Sequence, residues 1–201
     1  GNNMKVFVID RYRVATVGII AAVLGVGAIS ASFKTQPVLS QSTQAPIYCV
    51  DRPGNAVSIT FDCADTNGDI AQILDVLQKH NAKATFFVLG TWAEKFPESV
   101  KSIYDNGHEI GNHSYNHICY TTLSNEEILA DIARCDDAVF NAIGRKSTVF
   151  RAPSGDYNDN VVNICRQNGI TYVQWSIDSL DWTGLNCEQM LKRIVPKAKG
   201  G

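Results

Sequence analysis

The sequence has 201 residues, of which 45% are hydrophobic, 19% charged and 9% aromatic, and its formal net charge is −2. This is the composition of an ordinary globular protein, and it excludes a disordered or fibrous chain. Without a net positive charge, nucleic-acid binding through a basic surface is not expected. The charge is uneven, since residues 1–44 carry four basic and one acidic side chain and the remainder carries 14 basic and 19 acidic. The two parts are therefore predicted to have different roles.

An apolar run without charges extends over 14–32 (VATVGIIAAVLGVGAISAS) and follows three basic residues. Its length is about what a helix needs to cross a membrane, and the basic flank favours export of everything after it. Two interpretations stay open: residues 1–32 are a membrane anchor, or they are a signal peptide cleaved near the small residues 28–31. We expect a polar linker over 33–46 and an exported domain, membrane-anchored or secreted, over 47–201.

Strand and helix patterns alternate along the rest of the chain. The predicted strands are 56–61, 84–89, 108–111, 148–150 and 171–175, and the predicted helices are 69–80, 97–106, 124–143, 159–167 and 187–194. The helix from Ser124 opens with a capping box that includes Glu127. Repeated βα units imply a parallel sheet covered by helices, either open or curled into a barrel.

Six cysteines lie in the predicted domain: Cys49, Cys63, Cys119, Cys135, Cys165 and Cys187. In an exported domain they can form disulfides, but their spacing fixes no pairing. Buried free thiols are the alternative, and both interpretations stay open.

Polar residues follow the carboxyl ends of four predicted strands: Asp62, the pair His113 and His117, Arg151, and Asp178 with Asp181. Strand ends of a parallel α/β fold share one rim, where ligands and catalytic groups gather. We therefore expect these side chains to lie together although they are distant in the chain.

Each of these groups has a chemical interpretation. The spacing of His113 and His117 suits two nitrogen ligands on a divalent ion, and one added carboxylate leaves open positions for water and a substrate carbonyl. Arg151 beside Asp62 would hold that carboxylate ionised and oriented as a general base. The pattern favours metal-assisted hydrolysis.

Four motifs in this order resemble those of the polysaccharide deacetylase family, the NodB homology domain of carbohydrate esterase family 4. They are TFD at 60–62, HSYNH at 113–117, RAPSG at 151–155 and DSLDW at 178–182. The resemblance covers residues 56–201. It implies a distorted (β/α) barrel that removes N-acetyl groups from polymers of the GlcNAc or MurNAc type, such as peptidoglycan or chitooligosaccharides, with the help of a divalent metal, usually zinc.

The resemblance also implies a role for each matching residue. Asp62 is the general base that activates the attacking water, Arg151 orients it, and His113 and His117 hold the metal. Asp181 and Trp182 support the acid side and line the acetyl pocket. In the loop after Arg151, Pro153 and the Ser154 amide help to bind the substrate and its oxyanion. The expected partner is a glycan, and we expect a monomer.

Two departures from the family pattern bear on activity. The second aspartate of the family's first motif, its third metal ligand, is Cys63 here. The alternatives for that ligand are Asp65, which we favour, Asp69, the Cys63 thiolate or water. The family's last motif, which carries a histidine acting as general acid, is absent before Gly201. Either the sequence is a piece of a longer protein, in which the barrel is completed, or the chain is a catalytically impaired protein that binds glycan.

Overall fold

A computed structural model of the chain describes residues 44–51 and 53–200. The predicted anchor or signal peptide over 1–32 and most of the predicted linker lie outside this part. No helix within the described residues is long and apolar enough to span a membrane.

Helices and parallel strands alternate as the sequence predicts. The strands are β1 (Ile59–Cys63), β2 (Ala84–Val88), β3 (Glu109–Asn112), β4 (Val149–Phe150) and β5 (Thr171–Tyr172). The helices are α1 (Ile70–Lys79), α2 (Gly90–Lys95), α3 (Pro97–Asp105), α4 (Asn125–Ile143), α5 (Asp159–Gln167) and α6 (Cys187–Ile194). The sequence patterns did not indicate the short helix α2.

The five strands form one parallel sheet in the order β1-β2-β3-β4-β5. The expected α/β fold is confirmed, but the described residues form an open sheet and not a closed barrel. Beside β5, Ile47 forms a parallel bridge with Val173. The open parallel sheet brings the carboxyl ends of its strands to one edge.

The first strand differs from its predicted range, because β1 starts at Ile59 and continues through Cys63, in register with the whole of β2. Asp62 therefore lies within the strand and does not follow it. Since neighbouring strand residues point to opposite faces, Asp62 and Cys63 project to different sides of the sheet. The last strand is shorter than predicted, because β5 pairs with a β4 of only two residues.

Two apolar clusters pack the helices on the sheet. The first joins β2 to helices α1 to α4 and includes Phe86, Val88, Trp92, Val100 and Val139. The second packs α4 and α5 on β4 and β5 and includes Ile128, Phe150, Val161, Cys165 and Tyr172. Helix α4 contributes to both clusters, so it fixes the middle of the sheet against the elements on either side.

All six cysteines are free thiols in the structure. Cys63, Cys135 and Cys165 are buried, whereas Cys49, Cys119 and Cys187 are exposed. The structure therefore favours free thiols over disulfides.

Candidate active site

Asp62 and Arg151 form an ion pair at the carboxyl edge of the sheet. The Nη1 atom of Arg151 donates a hydrogen bond of 2.7 Å to Oδ1 of Asp62. The Arg151 side chain is 3% exposed and that of Asp62 is 34% exposed. The carboxylate thus faces solvent while its cationic partner is fixed inside the protein.

Further contacts hold the guanidinium of Arg151 in place. Its Nη1 also donates to Oγ1 of Thr60 at 2.9 Å, and its Nη2 donates to the backbone oxygen of Gln174 at 3.0 Å. Its Cζ atom lies 4.0 Å from the centre of the Phe87 ring. Contacts with β1, with β2 and with the chain after β5 leave Arg151 little freedom, so Asp62 is oriented by a rigid group.

His113 is tied to the same arginine through the backbone. Its Nδ1 lies 2.9 Å from the carbonyl oxygen of Arg151, which can only accept, so Nδ1 carries the proton. The lone pair is therefore on Nε2, which lies 3.7 Å from Oδ2 of Asp62. Burial lowers the pKa of His113 despite the opposing charge of Asp62. A neutral imidazole with a free Nε2 is the form in which histidine binds a metal.

His117 lies near His113 because the chain between them forms a tight loop. Ser114 and His117 both have left-handed backbones, with φ of 77° and 62°, and Oγ of Ser114 accepts a hydrogen bond from the His117 amide at 2.9 Å. The two imidazole rings are 5.6 Å apart between centroids and nearly perpendicular. His117 is exposed, so its ring is accessible from solvent beside the buried His113.

The donor chemistry at this edge fits a divalent metal in part. Two imidazoles and a nearby carboxylate suit zinc, yet among residues 44–51 and 53–200 no group of three His, Cys, Asp or Glu side chains is placed to hold an ion. Cys63 is an unsuitable third ligand, because it belongs to the apolar core and burial raises its pKa to about 12. Asp65 and Asp69 are both exposed, and the choice of Asp65 stays a prediction.

The other predicted site residues lie on two loops at the strand ends. Pro153 is buried in a 3₁₀ turn, Pro153–Gly155, in which Ser154 has φ of 56°. In the DSLDW motif at 178–182, Asp181 accepts a hydrogen bond from the amide of Trp182, and Trp182 is 79% exposed. Within the described residues, Ser154, Asp181 and Trp182 form no hydrogen bond or ion pair with Asp62 or His113, so their roles stay predictions.

Sequence reasoning missed a supporting residue, Asn112, that lies under the histidine loop. Its Oδ1 accepts from the Ser114 amide at 2.9 Å, while its Nδ2 donates to Asp136 and to the backbone oxygen of Ile132, both at 2.8 Å. Burial raises the pKa of Asp136. The position of Asn112 directly before the HSYNH motif was the only sequence feature that could have indicated this role, since its partners in α4 are 20 or more residues away.

Comparison with known sequences places the chain in a family. The sequence model of the polysaccharide deacetylase family matches residues 50–173. The chain is 34% identical over 150 residues to a peptidoglycan-N-acetylglucosamine deacetylase of Bacillus cereus, a match that covers 74% of this chain and 54% of that protein. It is 33% identical over 152 residues to the peptidoglycan-N-acetylmuramic acid deacetylase PdaC of Bacillus subtilis, covering 76% of this chain and 32% of the relative.

Solved structures give the same answer. A CE4 family pseudoenzyme from Bacillus anthracis superposes with a TM-score of 0.75 at 33% identity, over 79% of this chain and 57% of that chain. A peptidoglycan N-acetylglucosamine deacetylase superposes with a TM-score of 0.74 at 31% identity, over 77% of this chain and 72% of that one. The chain belongs to the polysaccharide deacetylase family. It spans about half of the length of the Bacillus cereus relative.

Proposed function

We propose that the protein is a metal-dependent N-deacetylase that removes acetyl groups from the GlcNAc or MurNAc residues of peptidoglycan. The main support for the proposal is that Arg151 contacts two groups of the site: its guanidinium donates to Asp62, and its carbonyl oxygen accepts from Nδ1 of His113. A single buried residue thereby sets the base and one candidate metal ligand relative to each other. Deacetylases of both peptidoglycan sugars among the relatives support this substrate class.

In this proposal Asp62 accepts the proton of the attacking water. Its Oδ1 accepts the hydrogen bond from Arg151, and its Oδ2 lies 3.7 Å from Nε2 of His113, so we assign the proton transfer to Oδ2. A general base must be held in a fixed orientation toward the water, and the bond from Arg151 fixes the orientation of Asp62. The exposed side of Asp62 lets water and an acetamido group approach from solvent.

In this proposal His113 and His117 would hold a divalent metal, with zinc as our choice. When bound, it supplies a Lewis acid that polarises the acetyl carbonyl and makes water easier to deprotonate. The protein's own contribution is to keep Nδ1 of His113 donating to a backbone oxygen, so that Nε2 stays unprotonated.

The location of the reaction is part of the same proposal. Peptidoglycan lies outside the cytoplasmic membrane, and the apolar run over 14–32 with its basic flank suits a protein exported as a secreted or membrane-anchored form. The substrate class and the export signal are thus consistent with each other.

A second candidate is a glycan-binding or scaffold protein on the same fold. It is favoured by Cys63, which replaces the family's aspartate and faces the core, and by the absence of a three-residue metal group in the described part of the chain. A pseudoenzyme is also among the similar structures.

The two candidates differ in acetate release. The full chain is incubated with N-acetylated peptidoglycan or chitooligomers, with zinc or with a chelator, and acetate is measured while glycan binding is followed by pull-down. Deacetylation requires acetate above the chelated sample, and Asp62→Asn is expected to lower the rate by about 10²- to 10⁴-fold. Asp75→Asn, at an exposed position of α1, is the matched control and should change nothing.

The second candidate would be established instead if the unchanged chain binds glycan but releases no acetate, and if the Asp62→Asn variant still binds glycan. Acetate release that is insensitive to Asp62→Asn would contradict the assignment of the base.

A further inference from the structure

The loop with both histidines, residues 113–117, is held from two sides. At the start of α2, the amide of Gly90 donates to the Ser114 carbonyl at 3.0 Å and the amide of Thr91 donates to the Tyr115 carbonyl at 2.9 Å. From α4, Oδ1 of Asp131 accepts from the Tyr115 amide at 2.9 Å. The donors at the start of a helix and one carboxylate therefore bind consecutive peptide groups in the centre of the loop.

Asp131 has a second donor that fixes its own orientation. The hydroxyl of Tyr120, a fully buried residue, donates to the same oxygen, Oδ1. Burial and the nearby charge of Asp131 raise the pKa of Tyr120, so the phenol keeps its proton and remains a donor. The carboxylate is thus anchored on the core side by Tyr120 and on the loop side by Tyr115.

The backbone conformation of the loop indicates what the contact between Asp131 and Tyr115 does. Ser114 and His117, one before and two after Tyr115, have left-handed φ angles that non-glycine residues adopt at a cost. Such a conformation persists only where the surroundings determine it. Because Asp131 fixes the peptide group between these two residues, it limits the directions in which the imidazoles of His113 and His117 can point.

We propose that Asp131 is a positioning residue for the two histidines: it holds the 113–117 loop in the shape that brings both rings to the Asp62 edge of the sheet. The proposal rests on the proposed function, since it assigns the loop to metal binding. Asp131 itself touches neither imidazole. It acts through the amide of Tyr115.

The experiment measures zinc affinity of the full chain by competition with a chromogenic chelator. Asp131→Ala removes the acceptor, and we expect the dissociation constant for zinc to rise by about 10- to 100-fold, as for other residues that orient metal ligands. Asp131→Asn keeps a carbonyl oxygen at the same place and is expected to retain the affinity of the unchanged chain. This rescue separates the acceptor from the negative charge.

Two controls separate positioning from general destabilisation. Tyr120→Phe removes the buried hydroxyl that anchors Asp131 but leaves the bond from Tyr115 to Asp131, so it should lower the unfolding temperature and reduce zinc affinity much less than Asp131→Ala does. Asp137→Ala removes a carboxylate from the same helix at a position whose side chain is 66% exposed, and it should change neither quantity.

A metal-free measurement keeps the proposal testable if the chain binds no zinc. Hydrogen exchange of peptides covering 112–118 should accelerate in Asp131→Ala and not in Asp131→Asn, while peptides from β2 keep their protection. No zinc binding by the unchanged chain, with this exchange pattern present, would overturn the proposed metal chemistry alone. Unchanged exchange in Asp131→Ala, or equal loss of zinc affinity in Tyr120→Phe, would overturn the positioning role.

Discussion

Arg151 donates from Nη1 to Oδ1 of Asp62 over 2.7 Å, although 89 residues separate the two in the sequence. The parallel order of the sheet makes this contact possible, because the carboxyl ends of β1 and β4, near which the two residues lie, are at one edge. The guanidinium of Arg151 donates three hydrogen bonds in directions set by its planar shape. The flexible side chain of a lysine, which ends in a single ammonium group, cannot reproduce them.

We therefore expect Arg151→Lys to lower both stability and activity, although the substitution keeps the positive charge. The lysine cannot bind Asp62, Thr60 and the carbonyl of Gln174 together, which leaves buried acceptors unpaired and costs about 1–3 kcal/mol of unfolding free energy. Glycan deacetylation should fall as well, because the base is no longer oriented. Urea unfolding and acetate release measure the two effects.

Arg145→Lys, the same change at an exposed position, is the control for Arg151→Lys. Equal unfolding midpoints for the two variants would mean that the planar guanidinium of Arg151 contributes nothing to stability.

The cysteines should divide into two reactivity classes. In the folded chain a maleimide should label Cys49, Cys119 and Cys187, which are exposed, and the other three only after unfolding. Burial raises the pKa of Cys63 and of Cys165 to about 12 and also raises that of Cys135, so their thiolates are scarce at neutral pH. Peptide mapping by mass spectrometry identifies the labelled sites.

Zinc provides a sharper version of the labelling test. If Cys63 is no ligand, added zinc leaves its slow labelling as it is. Rapid labelling of Cys63 in the native chain that zinc suppresses would show a solvent-accessible, metal-binding thiolate and would contradict its placement in the core.

We expect the protein to lose stability in mild acid because of His108. It is buried, and its Nδ1 accepts the amide proton of Ala84 at 3.3 Å, which requires the neutral ring. Burial, aided by the charge of Lys83, lowers its pKa, so the unfolded chain binds a proton more readily than the folded one. Its contribution is complete above the unfolded pKa of about 6.5 and declines as the pH falls below that value.

The measurement is the unfolding free energy in urea between pH 7.5 and 5. One such group changes it by at most about 1.4 kcal/mol per pH unit, and His108→Gln should give a shallower slope. His80→Gln, at an exposed position, should retain the original slope. An identical pH dependence in both variants would show that His108 is not the responsible group.

Gly90 is expected to tolerate no side chain. A Cβ atom there would overlap the ring of Tyr115 and lie 3.0 Å from the Cα of Cys135 in α4, and the backbone atom cannot move aside. Overpacking of this kind costs about 1–3 kcal/mol, and it also displaces the histidine loop. Gly90→Ala should therefore lower the melting temperature and the affinity for zinc.

Gly68→Ala is the matched control, because nothing lies within 4 Å of the added methyl group. Melting temperature by circular dichroism compares the two. A Gly90→Ala chain as stable as the control would show that α2 can shift away from the loop.

The sequence alone determined the order of the elements and the edge at which the site forms. Helix α4 starts where the capping box predicts it, with Oγ of Ser124 accepting from the Glu127 amide and the Glu127 carboxylate accepting from the Ser124 amide. Such features depend on residues three or four apart, as do helical and strand periods. The sequence also predicted that Asp62 and Arg151 lie at the same edge of the sheet, but their direct contact depends on the tertiary structure, because β1 and β4 are not neighbouring strands.

Only the tertiary structure decided which side chains share a face and which helix supports the site. Asp62 and Cys63 are neighbours in the chain, but one reaches Arg151 and the other enters the core, since a shift of one residue along a strand exchanges its two faces. His113 donates to the carbonyl oxygen of Arg151, 38 residues away, and the amide of Tyr115 donates to Asp131, 16 residues away. No local pattern encodes such bonds, because they depend on the packing of whole elements.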